Sequence, residues 1–553
     1  MTSVESHAAT AEIALADVHE AIAATRPTAE CLVYRDRRLT WADVTDRTRR
    51  LANHLLANGL TCHQERSEVS SHESGQSHLA IYLHNGNEYL ESMLGALKAR
   101  VASLNVNYRY VAEELQYVLD DAGADAIVVH SVFAPTLAEV LPALPQLTVI
   151  LQVPDESGNG LLPGAQWYED ALAAASPDKP AVVCSADDLY LLYTGGTTGM
   201  PKGVMWRNGD AMRQCFGGSL TAETVDEFVS EATGGLRSLL APPFMHGAGH
   251  WMSFRTWLSG GTVVVQDITD RLDPVDIWTT IEREHIEFLL IVGDAFARPL
   301  LDELDRGGYD LSSLAVVLSG GAALSAPLKE ECLGHLPTLM IIDGLGSSEA
   351  GGQVSHVSAG GSATTGTFAL TPGNVVLSAG LDHIESPDHD ELGWLAKTGR
   401  LALGYLGDPD KTARTYPIVD GVRYAVPGDR ARLLSGDANG PGIVELHGRD
   451  SVTINSGGEK IFAEEVEAAL KQHPAIYDCV VAGRPSERWG KEVVAIVRMR
   501  DGYEAHDDEL LGEAGRHIAR YKLPKQILRV NDVVRSPSGK ADYRWATSVV
   551  SRQ

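Results

Sequence analysis

From residue 79 onward the chain alternates short apolar runs with amphipathic stretches. Residues 79–83, 126–129 and 147–153 read as strands, and 87–100 and 133–141 read as helices. Strand-like runs recur at 262–265, 288–292 and 314–319. This β-α-β rhythm predicts a mostly parallel, doubly wound sheet of the α/β class. Upstream, residues 11–60 mix helical and short strand patterns, with Thr40 placed to cap a helix that starts at Trp41. A polar stretch at 62–78, rich in Ser, Glu and His, breaks the rhythm. Cys62, His63, His72 and His78 fall within it, but their spacing matches no standard zinc pattern, so a solvated loop is expected. A second boundary falls near 449–453, preceded by a Gly-rich turn region at 435–442. After it the pattern restarts as a compact α+β unit: helix 463–472, strand 477–482, strand 493–497, helix 508–520 and strand 526–530. The predicted domains are 1–449 and 450–553.

Composition narrows the function. Lys and Arg total 46 against 74 Asp and Glu in 553 residues, a formal charge of −28. Such a balance repels phosphate backbones, so no nucleic-acid partner is expected. An anionic ligand must then be held by backbone dipoles, a metal or a few aimed cations. The six cysteines lie far apart with no C-x-x-C pair, which reads as reduced thiols in a cytoplasmic protein. No apolar run reaches the ~18 residues of a transmembrane helix, so no integral membrane segment is expected. The N-terminal stretch carries Glu5, Glu12 and Asp17 and shows no secretory signal pattern.

The most informative segment is Tyr193-Thr194-Gly195-Gly196-Thr197-Thr198-Gly199-Met200-Pro201-Lys202-Gly203, placed directly after a strand-like run. Three glycines let backbone N–H groups approach a polyphosphate, three threonines add hydroxyls, and Lys202 adds one point charge. It is not a Walker A loop, because Met200-Pro201 follows Gly199 and Gly203 follows Lys202. Gly344-x-Gly346-x-x-Glu349 has glutamate where a dinucleotide fingerprint needs its third glycine.

This loop resembles the signature of the adenylate-forming superfamily of acyl-CoA synthetases, firefly-type luciferases and peptide-synthetase adenylation domains. The resemblance continues in order through Gly320-Gly321-Ala322, Asp343-Gly344-Leu345-Gly346-Ser347-Ser348-Glu349, Tyr424 to Asp429, Gly448-Arg449, Gly457-Gly458-Glu459-Lys460 and Pro537-Ser538-Gly539-Lys540. The nearest likeness is to bacterial fatty-acyl-CoA synthetases, notably an actinobacterial group handling fatty or steroid-side-chain acids. It implies a large N-terminal domain with a small β-barrel-like subdomain, and a small mobile C-terminal domain. It also implies ATP, Mg²⁺ and CoA, with CoA as co-substrate. The acid attacks the α-phosphorus of ATP, pyrophosphate leaves, and a thiol then displaces AMP.

The roles implied follow the motifs. Thr194, Gly195, Gly196, Thr197, Thr198 and Gly199 would cradle phosphates, with Lys202 steadying the loop or the leaving pyrophosphate. Gly320, Gly321, Ala322, Asp343, Gly344, Leu345, Gly346, Ser347 and Ser348 would line the nucleotide. Asp429 would accept the ribose hydroxyls, with Arg449 and Lys460 nearby. Glu349 would hold Mg²⁺, a hard cation that favours carboxylate and phosphate oxygens. Lys540 would act on the charge that builds in adenylation, so Lys540, Glu349, Thr194 and His246 form the expected catalytic set. Asp450 and Ser451 would be the hinge, and Gly457 and Gly458 would face the CoA thiol. The acyl pocket would use His246, Trp251, Gly293 and Gly320, with Trp206 as a second candidate gate. Three departures stand out: Gly195 replaces a common serine, Leu345 a common aromatic, and Ser451 a common Asp or Lys. Amino-acid-activating relatives place an aspartate early in the pocket. Asp294 is the nearest candidate here, but Arg298 four residues on is expected to pair with it, which favours an uncharged acid.

The expected activity is ATP-dependent ligation of CoA to a medium-chain, long-chain or bulky hydrophobic acid. Loading of a carrier-protein thiol is the alternative within the fold, and a silent sensor of AMP or acyl-CoA is the rival outside catalysis. A homodimer is left open.

Overall fold

A computed structural model describes residues 13–194, 200–359, 366–436, 442–449, 452–456, 459–486 and 489–552. The chain forms two compact units. The first comprises Met1–Gly196, Met200–Leu289 and Arg400–Thr415, and the second Thr197–Gly199, Leu290–Gly399 and Tyr416–Gln553.

In the first unit, an eight-stranded sheet runs in the order Gly404–Tyr405, Lys202–Arg207, Leu189–Thr194, Ala102–Asn105, His78–Tyr82, Ala126–His130, Val149–Val153 and Gln166–Trp167. Ladders from Leu189–Thr194 through Gln166–Trp167 are parallel, and the other two are antiparallel. Val128, Val129 and Leu151 are buried, as strands covered on both faces require. A second set of strands pairs Arg237–Leu240, Thr262–Val265 and Glu30–Tyr34 in parallel. Thr40 caps helix Trp41–Ala57 through a reciprocal pair of bonds with Asp43, as its sequence position predicts. The 62–78 stretch is folded back by a Cys62–Gln76 bridge. His78 is buried in a strand, where Nδ1 meets the Ala122 carbonyl. Among the described residues no cluster of metal-ligating side chains occurs there or elsewhere.

In the second unit, Val316–Gly320 pairs in parallel with Met340–Ser347, which turns back into Gly351–Ser358. A five-stranded antiparallel sheet orders Thr367–Ala369, Ile443–Arg449, Asp429–Leu434, Gly393–Lys397 and Asn374–Leu377 around Val354, Val376, Leu395, Ala431 and Val444. It stands where the resemblance implies a barrel-like subdomain, and its strand order is an open path among the described residues. The C-terminal segment is α+β. Alternate strand residues face opposite sides: Cys479 and Val481 pack with helices Ala463–Leu470 and Asp507–Ala514, while Val480 and Ala482 pack with helix Tyr543–Ser551. The helix expected to reach residue 520 stops at Ala514. Overall the protein has a large N-terminal mixed α/β domain and a smaller C-terminal α+β domain. The sequence boundary at 449–450 falls inside the second unit, and Asp450 and Ser451 lie outside the described residues. Among the described residues no helix is long and apolar enough to cross a membrane.

Candidate active site

The base of the glycine-threonine loop is built by the first unit. Thr194 ends strand Leu189–Thr194 and pairs with Lys202 across a hairpin. The Tyr193 N–H donates to Asn105 Oδ1 at 2.7 Å. The Asn105 amide donates in turn to the Tyr193 carbonyl at 2.9 Å and to the Met245 carbonyl at 2.7 Å. One buried amide thus fixes both the loop base and the residue before His246. Tyr193 Oη donates to Asp121 Oδ2 at 3.0 Å, and Lys202 Nζ donates to Asp121 Oδ1 at 3.1 Å. Lys202 thus ties the hairpin to Asp121. Gly195, Gly196, Thr197, Thr198 and Gly199 lie outside the described residues.

His246 sits at the N-cap of helix Gly247–Leu258, half-buried. Behind it, buried His250 joins the Phe244 carbonyl through Nδ1 at 2.6 Å and Tyr190 Oη through Nε2; Trp251 Nε1 donates to the same hydroxyl at 3.0 Å. Burial pushes the His250 imidazole down to about 4, so it is neutral and structural. Trp206 is wholly buried, as an ordinary core aromatic is.

In the second unit, the remaining motifs converge. Asp429 and Arg449 lie opposite each other on adjacent antiparallel strands, and Arg449 Nε donates to Asp429 Oδ1 at 3.1 Å. Asp429 raises the already high guanidinium pKa further. The second carboxylate oxygen, Oδ2, is buried without a hydrogen-bond partner among the described residues. A buried, unmet acceptor invites a donor such as a sugar hydroxyl. Ser347 Oγ accepts the Ala350 N–H at 3.0 Å, and Tyr416 Oη donates to the Glu349 carbonyl at 3.2 Å, so the Ser347–Ala350 turn presents Ser348 and Glu349 in a fixed orientation. Gly344 and Gly320 are register partners on parallel strands, and Leu345 is half-buried against the core of the five-stranded sheet. Asp343 is buried in its strand and bonded to the fully buried Lys329, with burial raising its carboxyl despite that ammonium.

Lys540 completes the cluster. Gly321 has φ +85, and a Cβ placed there would lie 3.4 Å from Lys540 Cε. Lys540 keeps part of its surface exposed, while the protein around its ammonium is dense. Crowding by the surrounding protein, then the Arg449 guanidinium, pushes its ammonium down to about 8, while Glu349 and Asp429 pull the other way. Lys540, Arg449, Asp429 and Glu349 therefore sense one another across one site. Ala322 adjoins it in the chain. The side chain of Lys460, and Gly457 and Gly458, lie outside the described residues.

A family model described as AMP-binding enzyme matches residues 19–377, and a second, AMP-binding enzyme C-terminal domain, matches residues 465–540. The chain belongs to the AMP-binding enzyme family. Within it, the chain is 51% identical over 536 residues to the medium-chain acyl-CoA ligase Mig of Mycobacterium avium, covering 96% of each. It is 39% identical to a 3-oxocholest-4-en-26-oate–CoA ligase of Rhodococcus rhodochrous, covering 92% of this chain and 91% of that one. Its fold matches the anthranilate CoA ligase AuaEII bound to anthranoyl-AMP, with a TM-score of 0.81 at 20% identity over 98% of both chains. It also matches ATP-bound MatB from Rhodopseudomonas palustris, with a TM-score of 0.77 at 22% identity over 97% of this chain and 98% of that one.

Two expectations for this AMP-binding enzyme need correction. Arg298 does not neutralise Asp294; it pairs with Glu331 at 2.8 Å and Asp302 at 3.4 Å. Asp294 instead accepts the Ser325 N–H at 2.7 Å and pairs with Lys471 at 3.3 Å. Gly293 does not open space for an acid: it has φ +53, and a Cβ there would meet the Ala323 carbonyl oxygen at 2.4 Å. At Gly320 an added Cβ would make only ordinary contact, 3.5 Å from the Gly344 carbonyl oxygen.

One residue escaped the sequence reading. Glu464, in the first turn of helix Ala463–Leu470, directs Oε2 at Gly448, where an added Cβ would be 2.8 Å away. That oxygen has no hydrogen-bond partner among the described residues, and burial with nearby Glu467 pushes the carboxyl up to about 8. A helix-start glutamate offers no distinguishing signal, because acidic residues are common there.

Proposed function

We propose that this ATP-dependent acyl-CoA ligase activates a medium-chain, long-chain or bulky steroid-side-chain-like carboxylic acid. The reading of the site rests on one observation above others: the Lys540 side chain lies beside Gly321, close enough to Asp429, Arg449 and Glu349 for their charges to act on its ammonium. Lys540 supplies positive charge where the attacking carboxylate meets the α-phosphate, stabilising the charge that builds between them. Asp429 accepts ribose hydroxyls, and its unmet buried oxygen supports that role. Arg449 steadies Asp429 and faces the phosphates. Mg²⁺, when bound, offsets phosphate charge, and Glu349 is the residue that would hold it. A single carboxylate suits an ion that takes its other ligands from phosphates and water. Thr194 and the glycines after it cradle the phosphates, with Lys202 and Asp121 bracing the loop base. His246 and Trp251 border the acid.

Adenylation and thioester formation need different surroundings, so the C-terminal domain turns about Asp450-Ser451 and brings Gly457-Gly458 to the thiol. A reducing, cytoplasmic setting suits the six cysteines, which lie far apart in the sequence with no C-x-x-C pair.

The test is pyrophosphate exchange with ATP across a panel of acids, followed by product analysis with CoA. The expected result is exchange with apolar acids of eight or more carbons and a CoA thioester as product. Exchange confined to amino acids or short polar acids overturns the acid class. A thioester formed only on a carrier protein overturns CoA as acceptor.

A further inference from the structure

The turn that carries Lys540 is held from both sides. Within it, the Ser536 N–H donates to the Lys540 carbonyl at 2.8 Å and the Gly539 N–H to the Ser536 carbonyl at 2.9 Å. Arg535, at its start, donates to the Gly539 carbonyl at 3.1 Å and grips Asp478 with two nitrogens at 2.6 and 2.7 Å. On the far side, Gly539 lies against the start of helix Gly293–Leu304. A Cβ at Gly539 would be 3.2 Å from the Val292 carbonyl oxygen and 3.3 Å from both Ala295 Cβ and Phe296 Cδ2. Asp294 is in the middle of that docking surface.

Lys471 closes the circuit. It ends the helix that opens the C-terminal domain, and its ammonium lies 3.4 Å from Asp478 Oδ1 and 3.3 Å from Asp294 Oδ2. Its side chain is only 14% exposed, so the charge is committed to these two carboxylates. Burial works against that charge, yet Asp294 and Asp478 hold the ammonium above the ordinary lysine range. The chain of contacts therefore runs Asp294, Lys471, Asp478, Arg535, Gly539 and Lys540. Every link but one lies inside the C-terminal domain, and the Asp294–Lys471 pair joins that domain to the segment that bears Gly321.

We propose that Lys471 is a positioning residue for adenylation: by pairing with Asp294 it pins the Lys540 turn against Gly293–Leu304, and that pair must open before the thiol step. The proposal rests on the assignment of Lys540 to the first half-reaction. It needs no contact between Lys471 and any substrate. A partly buried ion pair aligned by a second carboxylate is strong enough to bias one domain arrangement and weak enough to be released in each cycle.

The experiment separates the half-reactions in the full chain. Pyrophosphate exchange reads the first. CoA thioester formation from supplied acyl-adenylate reads the second. Lys471→Met and Asp294→Asn are each expected to lower the exchange kcat about tenfold with the KM for ATP little changed, and to leave the second half-reaction equal or faster. Lys471→Arg is expected to recover most of the exchange rate. The double variant is expected to be no worse than the poorer single variant, because the two residues act as one unit. Equal loss in both half-reactions, or unchanged exchange in both single variants, overturns the proposal. Lys540→Ala is run alongside: if it exchanges normally, the Lys540 assignment fails; if it is inactive while Lys471→Met is normal, only the positioning role fails.

Discussion

A cation that must meet a developing negative charge works only while it keeps its proton. Lys540 is pushed down to about 8 by the protein crowded round it and by Arg449. The protonated form therefore dominates near neutrality and is lost as pH rises through that value. In the free enzyme, kcat/KM for adenylation is expected to decline above about pH 8. Lys540→Arg should keep its charge and flatten that limb at a much lower rate, because a planar fork does not reproduce a point charge. Lys540→Ala should slow acyl-adenylate formation by about two to four orders of magnitude while ATP still binds. An unchanged alkaline limb in Lys540→Arg would assign the limb to another group. Glu464 titrates with the opposite consequence. Its carboxyl holds a proton to about 8 in the folded protein against 4.5 ordinarily. Between those values the folded state binds more protons than the unfolded one, so stability falls as pH rises. Glu464→Gln should remove that slope and stabilise the protein at about pH 8.5 by on the order of 2 kcal/mol, with little effect at about pH 4.5. Equal melting shifts at both pH values would show that Glu464 acts through packing and not through its charge.

At the scale of elements, sequence and structure agree wherever one periodicity governs a stretch. The runs at 79–83, 126–129 and 147–153 became strands within a residue or two of their expected bounds, because a buried parallel strand is read from its own apolar side chains. The structure places several of the motif residues at positions their local sequence suggests: Asp429 opens a strand, Arg449 ends one, and Lys540 closes the turn that begins at Ser536. Pairings between distant segments were not legible. Asp294 looked matched to Arg298 by helix spacing, but its partner Lys471 is 177 residues away, and no local pattern encodes that. The Asn105 clamp on Tyr193 was hidden likewise, since an asparagine at a strand end reads as turn chemistry. The hairpin under the phosphate loop gives a test at this scale. A Cβ at Gly203 would lie 2.7 Å from Tyr193 Cε2. Gly203→Ala should therefore displace the Tyr193 ring from Asp121, cost about 1–3 kcal/mol of stability and raise the KM for ATP several-fold. A normal KM in a destabilised variant would separate the hairpin from the loop it carries.

Over the whole molecule, the proposed mechanism requires a change of arrangement: one lysine cannot serve both half-reactions from one place if the thiol approaches from the side that the ammonium occupies during adenylation. The C-terminal segment is equipped to move as a body. It has two hydrophobic cores of its own, one on each face of the sheet that holds Ile476–Ser486 and Gly490–Met499. A unit with an independent core can change position without unfolding, at the cost of the few polar contacts it leaves behind. If it turns about Asp450-Ser451, then Gly457 and Gly458 approach the thiol only in the second arrangement, and a side chain there obstructs only the second step. Gly458→Leu should thus leave pyrophosphate exchange within about twofold of the native rate and lower CoA thioester formation from supplied acyl-adenylate by about a hundredfold. Parallel loss of both half-reactions at an unchanged melting midpoint would mean that this loop serves one fixed active site, and the turning domain would have to be given up.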